Sequence, residues 1–499
     1  MWPAAIEGAA DHHIRYLRHS LVLVIILSTA TMKAEIVSSS AVRITGACPT
    51  RAHVQALEPY SKGSLRWEVP PDRVPSGLVP SSLLALAQRA PLSAEGDLHI
   101  SDELRAALFP YQHEGVQRIV HQFRGRCLLA DEMGLGKTLQ AVACIQHYSE
   151  PTLVVCPAFL VTNWTRTLEQ WGIDATVASY GKIPSVGSWQ MVVVDEAHFI
   201  KSRESQRTQA LLPLVLRAAH ALLLSGTPCP NRPEELFTLL HALRPTLVPD
   251  FCSFASRYCR PRRTPFSSYD TRGSDRPDEL RWLLKRAFEV RRVKSEVLSQ
   301  LPDKIPTVLH VDADSGSREE IQLLRQRMDA ALASGSKLAQ SMMMEMYRAT
   351  AHAKAYTAAA LVASRMQPGS IVFAHHQVVL DAMQQAISPA LRVGRIDGST
   401  PLPMRQRVVD GMQAGTLDVA LLSMGAAGVG LTLTRACVAY FLEIPWCPAV
   451  LRQCEDRIHR IGQKSICKMY YILSEGTLDS YVWRAIHRKE RVAARIGQG

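Results

Sequence analysis

The stretch CLLADEMGLGKTLQ, residues 127 to 140, constrains this chain more than any other. Its apolar start, Cys127 to Ala130, reads as a buried strand, and a helical pattern begins near Leu139. The loop between them matches G-x-x-x-x-G-K-[ST] at every position but the first, where Asp131 stands in place of glycine. Such a loop needs Gly134 and Gly136 because backbone N–H groups must close around phosphates, which side chains would hold off. Lys137 then reaches the β and γ phosphates, and Thr138 offers a hydroxyl to Mg²⁺. A strand–loop–helix of this kind belongs in an α/β domain that binds a nucleotide.

Three further apolar runs support that domain: TLVVCP (152–157), MVVVDEAH (191–198) and ALLLSGTP (221–228). Runs apolar at every position suit parallel strands covered on both faces, and helical patterns separate them, so the unit reads as doubly wound α/β. Functional residues belong at the carboxyl ends of such strands. There, Asp195 is placed like a carboxylate that helps hold Mg²⁺, and Glu196 like the base that orients and deprotonates a water. Ser225 to Pro228 reads as a loop that couples hydrolysis to domain movement. Upstream, the amide of Gln112 can pair with both a donor and an acceptor on an adenine edge, which suits ATP, or it is a surface glutamine. Asn163 suits a nucleic-acid backbone, and the neighbouring Trp164 suits either that backbone or the core.

A second α/β series follows: SIVFAHH (370–376), LRVGRIDGST (391–400), VALLSM (419–424), CVAYFLEIPW (437–446) and KMYYILSEGT (468–477). It has no phosphate loop, so it must supply something else. In QCEDRIHRIGQ (453–463), Arg457 and Arg460 lie three apart on one helix face. An arginine presented to a γ-phosphate from a second domain is worth on the order of 10³ to 10⁵ in rate. The other reading pairs these arginines with Glu455 or Asp456.

The charge of +12 favours a polyanionic partner, nucleic acid being the commonest. Residues 255–276 are basic and irregular, with Arg257, Arg260, Arg262 and Arg263 close together, either contacting phosphates or simply solvated. Eleven cysteines with no C-x-x-C pair support neither a zinc ribbon nor a redox motif, and point to a reducing compartment. LVLVIIL (21–27) resembles a signal-peptide core, but a bilayer span needs about 20 apolar residues. We read it as a strand, or as an extension upstream of a start at Met32. The expected divisions are an N-terminal extension over 1–100, a nucleotide-binding lobe over 101–305, a helical linker or protrusion over 306–365, and a second lobe over 366–499. Within the extension, Ala34 to Pro70 reads as a small strand-and-helix module and 81–88 as a short helix.

Taken together, DEMGLGKT, DEAH, SGTP, RIDGST with Arg405 beyond it, GAAGVGLTLT (425–434) and EDRIHRIGQ resemble the SWI/SNF-related branch of the superfamily-two helicase-like ATPases. In that family Asp131 is the usual residue at its position. RYC (257–259), RRVKSEVLSQLPDK (291–304) and the compact gap between the halves look most like the HepA-related annealing helicases, and residues 34–70 are faintly similar to that group's branched-DNA module. The resemblance implies two tandem RecA-like doubly wound parallel-sheet lobes, with ATP and Mg²⁺ between them. It implies nucleotide contacts from Gln112, Asp131, Glu132, Met133, Gly134, Leu135, Gly136, Lys137, Thr138 and Gly428. Asn163, Thr227, Arg405, Ser423 and Gly425 would touch DNA. The implied activity is ATP-driven translocation on double-stranded or branched DNA with strand rewinding. The implied setting is nuclear, as a monomer away from membranes, beside single-strand-binding or fork proteins. A nucleosome remodeller and a non-catalytic DNA-binding scaffold are the rival readings.

Overall fold

The computed structural model describes residues 33–38, 41–45, 66–69 and 79–497, apart from short breaks at 185–186, 230–231, 265–266, 299–300, 334–338 and 428–430. The apolar run at 21–27, most of the 34–70 module and Gly428 lie outside the described residues.

By its contacts the chain divides into two units. The smaller comprises residues 1–91 with 276–286. Its strands β1 (Lys33–Ser38), β2 (Ala41–Thr45) and β3 (Arg66–Val69) form an antiparallel sheet in that order. The helix Pro277–Leu283 packs against the sheet. Glu35 accepts from the N–H groups of Asp278 and Glu279, Glu279 Oε2 accepts from the N–H of Ile36, and Arg43 pairs with Asp278 at 3.0 Å. The expected helix forms at Ser81–Gln88 and buries Leu83 and Ala87.

The larger unit contains two six-stranded sheets. The first runs in the order β11-β4-β8-β7-β5-β6 and is parallel throughout. Its strands are β4 (Arg126–Leu129), β5 (Thr152–Cys156), β6 (Thr176–Ser179), β7 (Met191–Asp195), β8 (His220–Leu224) and β11 (Glu289–Val290). Between β8 and β11, the basic stretch forms a short hairpin, β9 (Arg262–Thr264) and β10 (Ser267–Asp270). Cys127, Leu129, Val193, Leu222 and Leu224 enter one apolar cluster. Their neighbours Leu128, Val192, Val194 and Leu223 are equally buried, so both faces are covered, as unbroken apolar runs require.

The second sheet runs β12-β17-β16-β13-β15-β14, again all parallel. It comprises β12 (Lys304–Val311), β13 (Ser370–Ala374), β14 (Val393–Ile396), β15 (Val419–Ser423), β16 (Val438–Phe441) and β17 (Cys467–Ser474). Ile371, Phe373, Leu422 and Phe441 enter one cluster, and Val372, Leu421 and Tyr440 another, so this sheet too is covered on both faces.

Two expected boundaries change. The division at 305/306 falls inside β12, whose eight residues pair with β17 from Lys304↔Cys467 to Val311↔Ser474. Within the expected linker, the helix Ala339–Ala363 buries Tyr347, Ala351, Ala355, Ala359 and Val362 in the clusters of the second sheet, so it is part of that lobe. Alanines every fourth position let its backbone approach closely, an interior signal that polar residues elsewhere in the segment obscure.

Candidate active site between the two lobes

The phosphate-type loop leaves β4 and ends at the helix Lys137–Tyr148, with Gly136 as its left-handed N-cap at φ 74°. Both loop glycines are dictated by their surroundings. At Gly136 a Cβ would lie 2.2 Å from Gln112 Nε2, and at Gly134 (φ 85°) one would lie 2.9 Å from Arg460 Cβ in the second lobe. Tyr111 Oη and Gln112 Nε2 each donate to the Leu135 carbonyl at 3.0 Å, which holds the loop from beneath.

Several expected ligands are engaged elsewhere. Gln112 is buried, and its other amide end accepts from the N–H of Phe109 at 2.9 Å, so both halves of the amide serve the protein. The Asp131 carboxylate is turned away from the loop and fully buried. It receives the N–H and Nε of Arg292 at 3.0 and 2.9 Å, a second guanidinium nitrogen, and Gln140 Nε2 at 2.9 Å. What Asp131 offers the loop is its main-chain carbonyl, which accepts from Lys137 Nζ at 2.9 Å. Glu132 accepts from the N–H of Lys294 at 2.7 Å, so its carboxylate also faces protein. Met133 and Leu135 are buried beneath the loop, Met133 against Gly226, where a Cβ would meet its Cγ at 2.3 Å. Thr138 is half-buried in the first helical turn.

Asp195 and Glu196 stand at the carboxyl end of β7. Trp164 Nε1 donates to Asp195 Oδ2 at 2.8 Å, which gives this tryptophan a core position and a polar task. The N–H of Glu196 donates to Asp195 Oδ1 at 2.8 Å, and Tyr180 Oη donates to the Asp195 carbonyl at 2.7 Å. Burial, and then the charge of Glu196, raise the Asp195 carboxyl to about 6. Burial also pushes Glu196 upward, but His198, Lys137 and Arg457 together hold it below its ordinary value. Glu196 takes the left-handed region at φ 51°, strain that a non-glycine residue accepts only where the surroundings impose it. Its Oε2 faces His198 Nδ1 at 3.2 Å. Burial lowers the Lys137 ammonium, against the pull of Glu196, Asp131, Asp195 and Asp456.

The second lobe reaches this cluster through the turn after the helix Pro448–Glu455. Arg460 lies against Gly134, while Arg457 is buried and close enough for its charge to act on Glu196. Neither forms an ion pair with Glu455 or Asp456: Glu455 takes Lys304 Nζ at 2.5 Å and Tyr471 Oη at 2.6 Å, and Asp456 takes Lys294. Arg457 Nε is buried with no hydrogen-bond partner among the described residues. The glycine cradle, Lys137, the carboxylates Asp195 and Glu196, and an uncommitted guanidinium nitrogen together fit a nucleoside triphosphate with Mg²⁺.

The expected DNA contacts fare unevenly. Asn163 is exposed on the helix Val161–Gln170, and Gly425 is exposed with open space where a Cβ would stand. Thr227 and Ser423 are buried, so their side chains are not presented to a DNA backbone. Ser423 is the last residue of β15 and Thr227 lies just beyond β8, positions whose burial the sequence does not reveal. Arg405 donates to the carbonyls of Thr400 and Asp397 at 2.8 and 3.0 Å, holding the DGST loop. Arg262 and Arg263 are exposed on the β9–β10 hairpin. Sequence reasoning missed Arg292, Lys294, Tyr111 and His198. Only the His of DEAH and the Arg-Val-Lys of RRVKSEV carried any signal.

An SNF2-related domain model matches residues 111–182 and 175–358, and a helicase conserved C-terminal domain model matches 353–462. The "DNA annealing helicase and endonuclease ZRANB3" of Mus musculus is 36% identical over 446 residues, 80% of this chain and 42% of that protein. The "SWI/SNF-related matrix-associated actin-dependent regulator of chromatin subfamily A-like protein 1" of Xenopus tropicalis is 35% identical over 432 residues, 80% of this chain and 46% of its own length. The Caenorhabditis elegans homolog of the latter is 32% identical, with 84% and 66% covered. The chain thus spans less than half the length of the first two relatives.

Proposed function

Because the chain belongs to the SNF2-related, helicase-like family, we propose that it is a DNA-dependent ATPase that translocates on double-stranded or forked DNA and rewinds strands. The observation that carries this reading is the placement of Arg460 against Gly134, with Arg457 near enough for its charge to act on Glu196, which joins both lobes at one phosphate-type loop.

Lys137, now bonded to the Asp131 and Glu132 carbonyls at 2.9 and 3.4 Å, exchanges them for phosphate oxygens. The ammonium makes both sets of bonds charge-assisted, but the phosphate adds the attraction of an opposite charge, which favours that exchange. Thr138 and Asp195 would hold Mg²⁺, which would supply positive charge beside the phosphates. Glu196, kept ionised by its cationic neighbours, takes a proton from the attacking water. Arg457 and Arg460 stabilise the transferring phosphoryl group when the lobes close. Gln112, almost wholly buried, positions the loop from beneath through its bonds to the Leu135 carbonyl and the Phe109 N–H. Contact with the DNA backbone falls to exposed residues such as Asn163 and Gly425, and contacts of that kind position a protein on the duplex without reading sequence. A nuclear setting is part of the same proposal, supported by relatives whose names place them in DNA annealing and chromatin regulation. Among the described residues no helix is long and apolar enough to cross a membrane.

The test is a strand-annealing against strand-unwinding assay on forked DNA with ATP, with hydrolysis measured alongside on fork, plain duplex and nucleosome. Fork-stimulated hydrolysis with annealing is expected. A marked preference for nucleosomes would turn the reading toward remodelling, and no hydrolysis on any DNA toward a scaffold.

A further inference from the structure

One buried lysine, within the RRVKSEV stretch, touches both lobes. Lys294 lies just beyond β11 in the first lobe and is 4% exposed. Its N–H donates to Glu132 Oε2 in the phosphate-type loop at 2.7 Å. Its ammonium donates to Asp456 Oδ1 and, at 2.6 Å, to the carbonyl of His459, both in the second lobe, and stands 3.8 Å from Glu132 Oε1. Lys294 Cε also lies 3.7 Å from the position a Cβ on Gly134 would take.

The two second-lobe acceptors each stand immediately before one of the arginines. Arg457 follows Asp456 directly, and Arg460 follows His459. An ammonium has three donors and no acceptor, so here it grips both ends of one turn and directs its remaining donor toward the loop. Neighbouring bonds hold the same region from other sides: His459 Nε2 lies 2.9 Å from the Pro302 carbonyl, and Lys304 pairs with Glu455 inside the second lobe. Lys294 alone among these joins the turn to Glu132.

We propose that Lys294 is a positioning residue for ATP hydrolysis: its ammonium clamps the Asp456–His459 turn so that Arg457 and Arg460 meet the phosphates, and Glu132 ties that alignment to the shape of the loop. This rests on the reading of the chain as an ATPase. A guanidinium displaced by about 1 Å is enough to lower a rate on the order of 10²-fold, while the nucleotide still binds the first lobe. The expected signature is therefore a loss in kcat with little change in KM.

The experiment uses the full chain, saturating forked DNA and varied ATP. Lys294→Met should lower kcat on the order of 10²-fold and leave KM for ATP within about threefold. Lys294→Arg, which keeps the charge and several donors, should recover most of the rate. Lys304→Met, which breaks the neighbouring pair without touching the first lobe, should have a much smaller effect. If Lys294→Met does not fold, Asp456→Asn tests the same clamp with nearly unchanged volume and should lower kcat with unchanged KM. A Lys294→Met or Asp456→Asn enzyme with wild-type kcat overturns the proposal, as does an equal loss in Lys304→Met, which would make the effect general destabilisation. A wild-type chain that hydrolyses no ATP would instead sink the ATPase reading, so the two failures are told apart.

Discussion

Replacing Asp131 by glycine would complete the G-x-x-x-x-G-K-[ST] pattern, and a reading from the motif alone expects the change to be harmless. The structure points the other way. Asp131 is fully buried and Arg292 is 8% exposed, and they exchange several hydrogen bonds across 161 positions of sequence. Removing one partner of a buried pair costs roughly 3–5 kcal/mol, because the remaining charge is left uncompensated. Arg292 would keep Gln140 Oε1 and the Tyr111 carbonyl, both neutral, so the lower end, about 3 kcal/mol, is the better figure. For a lobe of this size each kcal/mol moves the unfolding temperature by about 2–4 °C, giving a fall of roughly 6–12 °C. Asp131→Asn, which keeps the oxygen but loses the charge, should fall between. The assay is thermal unfolding followed by intrinsic fluorescence, Trp164 reporting from beside Asp195, with ATP hydrolysis measured below the transition. Asp131→Gly melting with the wild type and hydrolysing at the wild-type rate would refute the argument that this carboxylate anchors the loop.

Three further outcomes are expected. Lys137→Ala should abolish ATP hydrolysis while leaving DNA affinity intact, checked by phosphate release and by a filter-binding or anisotropy titration. Asp397→Asn should destabilise the DGST loop by about 1.5 kcal/mol near neutral pH. The Ser399 hydroxyl above all, with Arg395 adding, holds the Asp397 carboxyl down to about 2 against the effect of burial. A depressed carboxyl stabilises the fold above its unfolded value, and that contribution fades as pH falls through the folded one. The gap in unfolding temperature between wild type and Asp397→Asn should therefore narrow as pH drops from about 5 toward 3. Among the described cysteines Cys252 is exposed, whereas burial pushes the Cys127 and Cys156 thiols up to about 12. Limited alkylation at neutral pH should label Cys252 first and those two only after unfolding, as read by peptide mass mapping.

The strands that carry chemistry were legible because each is an unbroken apolar run ending in polar residues, a pattern that only a doubly covered parallel sheet explains. The edge strand β12 was not. Lys304, Ile305 and Thr307 to Val311 mix charged and apolar residues, and its position beside β17 comes from pairing with a segment beyond residue 466. The same holds for the small unit: β1–β3 can be guessed as strands, but the helix that supports them lies at Pro277–Leu283, joined by Glu35 and Glu279. Side-chain partners far apart in sequence leave no periodicity to read. Trp164 on Asp195 and Arg292 on Asp131 are of that kind, and each decides what a motif residue can do.

The arginine turn shows how such hidden partners alter a functional reading. In QCEDRIHRIGQ two acids stand directly beside two arginines, and sequence alone leaves local ion pairing as a live alternative. A guanidinium that neutralises its own neighbour is not free to stabilise charge elsewhere. Here both acids are taken by lysines, Glu455 by Lys304 and Asp456 by Lys294, and neither lysine lies near the motif in sequence. The arginines are thereby released from local pairing, one buried toward Glu196 and the other set against Gly134. The acids beside them act as handles by which the rest of the protein holds the turn. An acid next to an arginine is therefore no argument against catalysis until the acid's own partner is known.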